Sequence, residues 1–217
     1  MAGCSPRRPE SLLAALVMEG PCTMSVEPLK IVILVGSTRK GRFGPVVANW
    51  FAAQVRQRDD MELDLIDLVE ANLPYELPDF NANEEPVAVR ALTPRLAAAD
   101  GFVFVTPEYN HSYPASLKNV VDWYRKEWQA KPVGFVSYGG LAGGLRSVEH
   151  LRPVLSEVHA VPIRDTVSFH GAGERFDGSG APTDPRGCNA AAKTLLDQLA
   201  WWSGVLRTAR ADHPYGT

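Results

Sequence analysis

Continuous apolar runs constrain the fold of this chain more than any other feature. LKIVILV at 29–35 and GFVFV at 101–105 contain almost no polar residue, and KPVGFVSY at 131–138 is nearly as apolar. Because these runs do not alternate between apolar and polar residues, they predict strands that are buried on both faces. Segments with helical periodicity lie between them, and this order predicts a parallel sheet with helices on both faces.

The alternation of strands and helices continues through most of the chain. We predict strands at 29–35, 61–68, 101–105, 131–138 and 160–169, and helices at 45–58, 86–100, 114–128, 144–159 and 188–209. The strand at 61–68 alternates in polarity and is expected to be the more exposed one. Ser112 is the expected N-cap of the helix at 114–128. The segments 71–85 and 170–187 are rich in loop-forming residues, and we expect the second one to be mobile.

The composition excludes several classes of protein. A chain of 217 residues with 45% hydrophobic residues suits one domain with a full core. A net charge of −3 predicts no nucleic-acid partner, and no apolar run approaches the roughly 20 residues of a membrane span. The three cysteines lack metal-like or CxxC spacing, which predicts no metal site and fits a reduced cytoplasm.

The first residues differ in character from the rest of the chain. Two arginines precede the short apolar run at 12–18, as in a signal peptide, but Glu19 interrupts it and no A-x-A cleavage site follows. Met24 stands directly before the first predicted strand. We expect residues 1–27 to be an N-terminal extension that is disordered or results from a mispredicted start, 28–210 to be the domain, and 211–217 to be a tail.

Ligands of such folds bind beyond the carboxyl ends of the strands, where the strand order reverses. This rule selects the loops at 36–44, 106–113 and 138–144, which follow the first, third and fourth strands. The candidate chemistry of the chain therefore lies in these three loops.

The first loop, GSTRKGRFGP, joins a buried strand to the N-terminus of a helix. Free backbone N–H groups and the helix dipole favour an anion there. Ser37 and Thr38 add hydroxyl groups, and Arg39 and Arg42 can grip phosphate oxygens. Neither a Walker A motif nor G-x-G-x-x-G fits this loop, so a monophosphate is the natural occupant. The alternative is a glycine-rich turn with two solvated arginines.

The second and third loops offer backbone groups to a flat ligand. Pro107 ends its strand, and the cluster that follows forms a turn whose amides face the same crevice and suit a flat heterocycle: Glu108, Tyr109 and Asn110. The alternatives are that Tyr109 is a partly buried phenol of the core and that Glu108 is a solvated carboxylate of the turn. In the third loop, Gly139 and Gly140 permit a close backbone approach, or simply form a glycine turn. Together the three loops predict a flat phosphorylated cofactor.

Three segments carry a resemblance to a known family: GSTRKGRFGPVVANW, TPEYNHSYPASLKNVVDW and KPVGFVSYGGLAGG. Together they resemble the NAD(P)H-dependent FMN reductase family, in particular its flavodoxin-like quinone and FMN reductases. The resemblance covers about residues 29–170. It implies an α/β, flavodoxin-like three-layer fold, with a five-stranded parallel sheet of order 2-1-3-4-5 and helices on both faces. It also implies noncovalent FMN and a homodimer or homotetramer, whereas the expected cytoplasmic location comes from the cysteine pattern.

The resemblance assigns site residues by motif position. Ser37, Arg39 and Arg42, with the backbone of Phe43, Gly44, Pro45 and Val46, would hold the FMN phosphate. Pro107, Glu108, Tyr109 and Asn110 would border the isoalloxazine, and Tyr138, Gly139 and Gly140 would close its other edge. Many members of the family carry Ser where this chain has Gly44, and we take Arg42 as the replacement for that hydroxyl.

The function implied is that of an oxidoreductase. NADPH or NADH would deliver hydride to flavin N5, and a small-molecule acceptor such as free flavin or a quinone would then take its place in a ping-pong sequence. No catalytic side chain is assigned, although His111 in the second loop could contact either substrate. The aromatic residues of 114–128 suit a subunit interface or core packing equally. The alternatives are a flavodoxin-like electron carrier, against which the weak net charge argues, and a non-enzymatic flavin-binding protein.

Overall fold

The computed structural model of the chain describes residues 27–79 and 85–216. The predicted N-terminal extension therefore lies outside the described residues except for Glu27, as does part of the loop predicted at 71–85.

Five parallel strands form a single sheet at the centre of the described residues. They are β1 (Leu29–Val35), β2 (Met61–Asp67), β3 (Gly101–Pro107), β4 (Pro132–Gly139) and β5 (Val161–His170). Their order is β2-β1-β3-β4-β5, with every neighbouring pair parallel. This confirms the predicted flavodoxin-like sheet, and it places the alternating strand β2 at an edge, as its sequence indicated.

Helices connect the strands. They are α1 (Gly44–Val55), α2 (Leu68–Ala71), α3 (Val87–Ala98), α4 (Ala115–Trp123), α5 (Leu145–Glu157) and α6 (Pro185–Asp212). The short helix α2 was not predicted. It begins where the Asp67 carboxylate accepts a hydrogen bond from the Val69 N–H at 3.0 Å, and it ends at Asn72, which adopts a left-handed conformation. None of the described helices is both long and apolar enough to cross a membrane.

The two faces of β1 show why its sequence is apolar throughout. Ile31 and Ile33 belong to the core that α1 and α6 cover, whereas Val32 and Leu34 belong to the core that α3, α4 and α5 cover. Side chains of a strand alternate between the two faces of a sheet, and here both faces are buried. The three layers of the fold therefore follow from the lack of alternation in the central strands.

The start and end of α4 differ from the prediction. Pro114 occupies the N-cap position without a side-chain hydrogen bond, so the expected cap by Ser112 is wrong. The Ser112 hydroxyl instead lies 3.0 Å from His150 Nδ1. The helix ends at Trp123, and both Tyr124 and Trp128 beyond it are buried in the core. Core packing therefore explains Tyr124 and Trp128, two of the three aromatic residues of 114–128 that suited a subunit interface equally well.

The segment after β5 is packed onto the domain, contrary to the mobile loop that we expected. It contains a 3₁₀ turn at Ala172–Glu174 and a bridge between Phe176 and Pro182. The buried Phe176 ring packs against Phe169 and Trp50, with ring centroids 4.8 and 6.2 Å away. The segment thereby holds α1 from outside, next to the first of the three predicted loops.

Candidate cofactor site

The carboxyl ends of β1 and β3 meet at the point where the chain changes direction across the sheet. β2 lies on one side of β1, and β3 lies on the other side, so the strand order reverses at β1. In such sheets this switch point is where ligands bind. The loops after β1, β3 and β4, here called loop 1 (36–43), loop 2 (108–114) and loop 3 (140–144), lie at this end of the sheet.

Loop 1 presents unused donors at the start of α1. Among the described residues, the backbone N–H groups of Thr38, Arg39 and Lys40 donate to no acceptor. Gly41 turns the chain with a φ of +67°, a conformation that favours glycine. The first turn of α1 contains no acidic residue that would compete with a bound anion. Unused N–H groups and a positive helix end are the physical requirements of an anion site.

The two arginines of loop 1 are in different states. Arg42 Nη1 and Nη2 lie 2.5 and 2.6 Å from the two Asp67 oxygens, and Nη1 also donates to the Ser37 carbonyl at 2.8 Å. These bonds raise the pKa of Arg42 above its usual value. The Arg39 side chain is exposed and forms no hydrogen bond or ion pair with a described residue. Arg42 therefore holds loop 1 to β2, whereas Arg39 is available to a ligand.

Three hydroxyl groups lie beneath loop 1. Ser37 is buried, and its Oγ lies 2.5 Å from Tyr109 Oη of loop 2. Tyr138, at the end of β4, is also buried, and its Oη has no hydrogen-bond partner among the described residues. Burial raises the pKa of Tyr138 well above its usual value, which the nearby Ser37 hydroxyl and the Arg42 charge only partly offset. The Tyr138 side chain thus lies under loop 1, and only its main chain is left for the ring edge predicted from sequence.

Loop 2 is a tight turn. The Tyr109 N–H donates to the Ser112 carbonyl at 2.8 Å, and the Ser112 N–H donates to the Tyr109 carbonyl at 3.1 Å. The two residues between them, Asn110 and His111, have φ values of +48° and +74°, as in a type I′ turn. The sequence predicted this turn, and the structure leaves Asn110 exposed at its tip.

Glu108 and Arg146 join loop 2 to α5. Arg146 Nε lies 2.8 Å from Glu108 Oε1, and the Arg146 N–H donates to Glu108 Oε2 at 3.3 Å. Arg146 Nη1 also donates to His111 Nδ1 at 2.7 Å. Only 10% of the Glu108 side chain is exposed, so the alternative that Glu108 is a solvated carboxylate is wrong. Sequence reasoning missed Arg146, which follows loop 3 by two residues and carried no motif of its own.

Loop 3 depends on glycines other than the two that the sequence singled out. Gly143 and Gly144 have φ values of +60° and +83°, and a Cβ on Gly144 would lie 2.9 Å from the Tyr138 nitrogen. A side chain would therefore clash there. Gly140, by contrast, has open space around it, and the neighbouring Leu141 is 96% exposed. This edge of the site is open and apolar.

A cavity of about 210 Å³ adjoins loop 1 on the side of α2 and α4. Thr38, Asn72, Ser116 and Asn119 are among the residues that line it. The Ser116 hydroxyl donates a hydrogen bond to the Gly36 carbonyl, which fixes the start of loop 1. The anion-binding end of the site therefore opens into a space lined by further polar groups.

Residues 29–174 match the sequence model of the NADPH-dependent FMN reductase family. An NAD(P)H-dependent FMN reductase of Schizosaccharomyces pombe is 38% identical over 123 residues, which cover 53% of this chain and 60% of that protein. The match thus spans less than two thirds of that relative. A 2-hydroxy-1,4-benzoquinone reductase of Burkholderia sp is 31% identical over 183 residues, which cover 80% of this chain and 96% of that protein.

A solved structure shares the fold. The NAD(P)H:(acceptor) oxidoreductase FerB of Paracoccus denitrificans superimposes with a TM-score of 0.66 at 24% identity, over 82% of this chain and 98% of that one. At that identity the likeness shows the fold alone, and it agrees with the sheet order described above.

Proposed function

Because the chain belongs to the NADPH-dependent FMN reductase family, we propose that it is an FMN-dependent oxidoreductase that uses NADPH or NADH to reduce a small-molecule acceptor. The relatives named as FMN and quinone reductases support this class of reaction. Free flavin, a quinone or a similar compound is the proposed acceptor.

One observation of the structure carries this proposal. Loop 1 offers N–H groups with no acceptor among the described residues, including those of Thr38, Arg39 and Lys40, and an Arg39 side chain with no described partner, just before α1 at the switch point of the sheet. A phosphate group satisfies such donors, because it brings several acceptor oxygens and a negative charge to one helix end. The glycines of this loop do not have the G-x-G-x-x-G spacing of a dinucleotide fingerprint, which favours a mononucleotide such as FMN.

The donor set fits FMN along the length of the cofactor. Ser37, Arg39 and the backbone from Phe43 to Val46 would hold the phosphate, with Arg42 keeping loop 1 in shape through the Ser37 carbonyl. The main chains of Pro107–Asn110 and of Tyr138, Gly139 and Gly140 would border the ring, with Glu108 tied to α5 and the Tyr109 phenol tied to Ser37.

Bound FMN supplies the redox chemistry, taking a hydride from the nicotinamide and passing electrons to the acceptor. The protein residues orient both substrates. The exposed Leu141 and the open surroundings of Gly140 leave an apolar approach beside loop 3. We propose that nicotinamide and acceptor use this approach in turn, which is a ping-pong sequence.

Assembly and location belong to the same proposal. A homodimer or homotetramer with α4 near the interface is what the family resemblance implies, and a cytoplasmic location is what the cysteine pattern favours. The exposed Lys118 and Asp122 of α4 form an ion pair at 2.7 Å, so such an interface would be partly polar.

The decisive experiment is an absorbance spectrum of the purified protein, followed by anaerobic addition of NADPH and then NADH. Flavin bands near ~450 nm that bleach with either donor would support the reductase. Bands that neither donor bleaches would favour an electron carrier or a flavin-binding protein. If FMN neither copurifies nor binds when it is supplied, the assignment of loop 1 is wrong.

A further inference from the structure

Tyr138 has a buried hydroxyl group with no partner, directly beneath the proposed phosphate site. The side chain is 5% exposed, and its Oη makes no hydrogen bond with a described residue. Buried hydroxyl groups are nearly always hydrogen-bonded, because leaving one without a partner is unfavourable. An orphaned hydroxyl at this place therefore calls for a reason.

The position of that hydroxyl explains the glycine at the start of α1. A Cβ on Gly44 would lie 2.8 Å from Tyr138 Oη and 3.2 Å from Val35 Cγ1. The Tyr138 oxygen thus occupies the space into which a side chain at position 44 would project. Any larger residue there would require the phenol to move.

Ser37 is the side chain through which this hydroxyl can act. Ser37 Oγ is 2.5 Å from Tyr109 Oη, and the Cβ position on Gly44 that lies 2.8 Å from Tyr138 Oη also lies 3.6 Å from Ser37 Cβ. A serine hydroxyl has one proton and two acceptor lone pairs. When Ser37 donates its proton to a phosphate oxygen, its two lone pairs can accept from Tyr109 and Tyr138, and the two phenols then fix the proton in that direction.

From this arrangement we propose that Tyr138 is a positioning residue for the cofactor phosphate, acting through Ser37, and that it replaces the side chain that Gly44 lacks. The inference rests on the proposed function, since it requires that FMN binds at loop 1. With Tyr109 and Tyr138 both donating to Ser37 Oγ, the Ser37 proton points to the phosphate, so the Tyr138 hydroxyl contributes to affinity for the phosphate.

The test compares two flavins that differ by the phosphate. FMN and riboflavin are titrated into the full chain freed of flavin, and binding is followed by flavin fluorescence, for the wild type and for Tyr138→Phe. We expect Tyr138→Phe to weaken FMN binding about fivefold, as for the loss of one hydrogen bond between neutral groups, and to change riboflavin binding by less than about twofold. Thermal unfolding of the flavin-free variant should occur at the same or a higher temperature, because the variant removes an unsatisfied hydroxyl.

A second variant tests the exchange between the two positions. In the Tyr138→Phe background the phenol oxygen, the nearest obstacle to a Cβ on Gly44, is gone, and Gly44→Ser brings a hydroxyl back to loop 1 with Val35 Cγ1 at 3.2 Å as its nearest remaining neighbour. We expect this double variant to recover most of the lost FMN affinity. Tyr124→Phe is the matched control, since Tyr124 Oη donates to the Val89 carbonyl at 3.0 Å, in the core between α3 and α4. It should leave the ratio of FMN to riboflavin affinity unchanged.

Each outcome separates this inference from the proposed function. If the wild type binds neither flavin, the proposed function fails and the inference fails with it. If the wild type binds FMN and Tyr138→Phe binds it equally well, or loses FMN and riboflavin to the same extent, the inference alone is overturned. If Tyr138→Phe does not fold, the free protein needs the Tyr138 hydroxyl, which is then not an unsatisfied group, and the inference is overturned as well.

Discussion

The ion pair between Arg42 and Asp67 should be worth about 2 kcal/mol to the stability of the flavin-free protein. The two nitrogen–oxygen distances are 2.5 and 2.6 Å, so the pair is bidentate and charge-assisted. The side chains are 18% and 12% exposed. Fully exposed pairs contribute about 0–1 kcal/mol, whereas breaking a buried pair costs about 3–5 kcal/mol, and this pair lies between those limits.

Asp67→Asn removes the charge, keeps the shape and leaves an oxygen that can still accept from the Val69 N–H. Urea unfolding of the flavin-free chain should show a midpoint lower by about 1 M, if the m-value is about 2 kcal/mol/M. A double-mutant cycle with Arg42→Met isolates the pair from other effects of each change. A coupling free energy below about 0.5 kcal/mol would show that the pair is no stronger than an exposed one, and would refute the view that Arg42 holds loop 1 in shape.

Three other predictions concern separate parts of the molecule. Glu108→Gln should weaken the tie to Arg146 and lower the affinity for FMN and riboflavin together by several-fold in fluorescence titrations; unchanged affinities would show that the tie does not shape loop 2. Burial lowers the pKa of Lys131 to about 8, below its ordinary value of 10.5, so stability should rise by up to about 3 kcal/mol as pH increases through that interval. Urea unfolding of the wild type and of Lys131→Met at pH 7 and 9.5 checks this, and a difference between them that does not change with pH would contradict it. Trp128→Ala should destabilise the protein by about 3–5 kcal/mol and the exposed Trp201→Ala by less than about 0.5 kcal/mol in thermal unfolding, a contrast that equal losses would disprove.

The central part of the fold could be predicted from local sequence alone. The apolar run at 29–35 predicts a strand that is buried on both faces. In the structure, β1 has the same bounds, and its side chains belong to the cores on both sides of the sheet. The order of the strands came from the family resemblance, because local patterns do not specify which parallel strands are neighbours. The switch-point rule then placed all three loops correctly with respect to the sheet.

The pairing of charged side chains could not be predicted in the same way. Arg42 pairs with Asp67, and Glu108 pairs with Arg146, across separations of 25 and 38 residues. A long side chain at a loop can turn to a ligand or to a neighbouring strand, and the choice depends on what the fold brings within reach. The sequence therefore identified Arg42 as a residue of loop 1, but it did not show that Asp67 already holds it.

The direction of Tyr138, by contrast, was available in the sequence. Side chains two residues apart on a strand point to the same face, and Val136 and Tyr138 both belong to the core that α1 and α6 cover. A tyrosine at the carboxyl end of β4 on that face must point toward the start of α1, where Gly44 lies. Small residues at a helix start are usually explained by backbone conformation, but Gly44 does not have a positive φ. Its lack of a side chain is instead explained by the phenol oxygen beside it. The alternation of side chains between the two faces of a strand thus shows which side chain of β4 reaches loop 1.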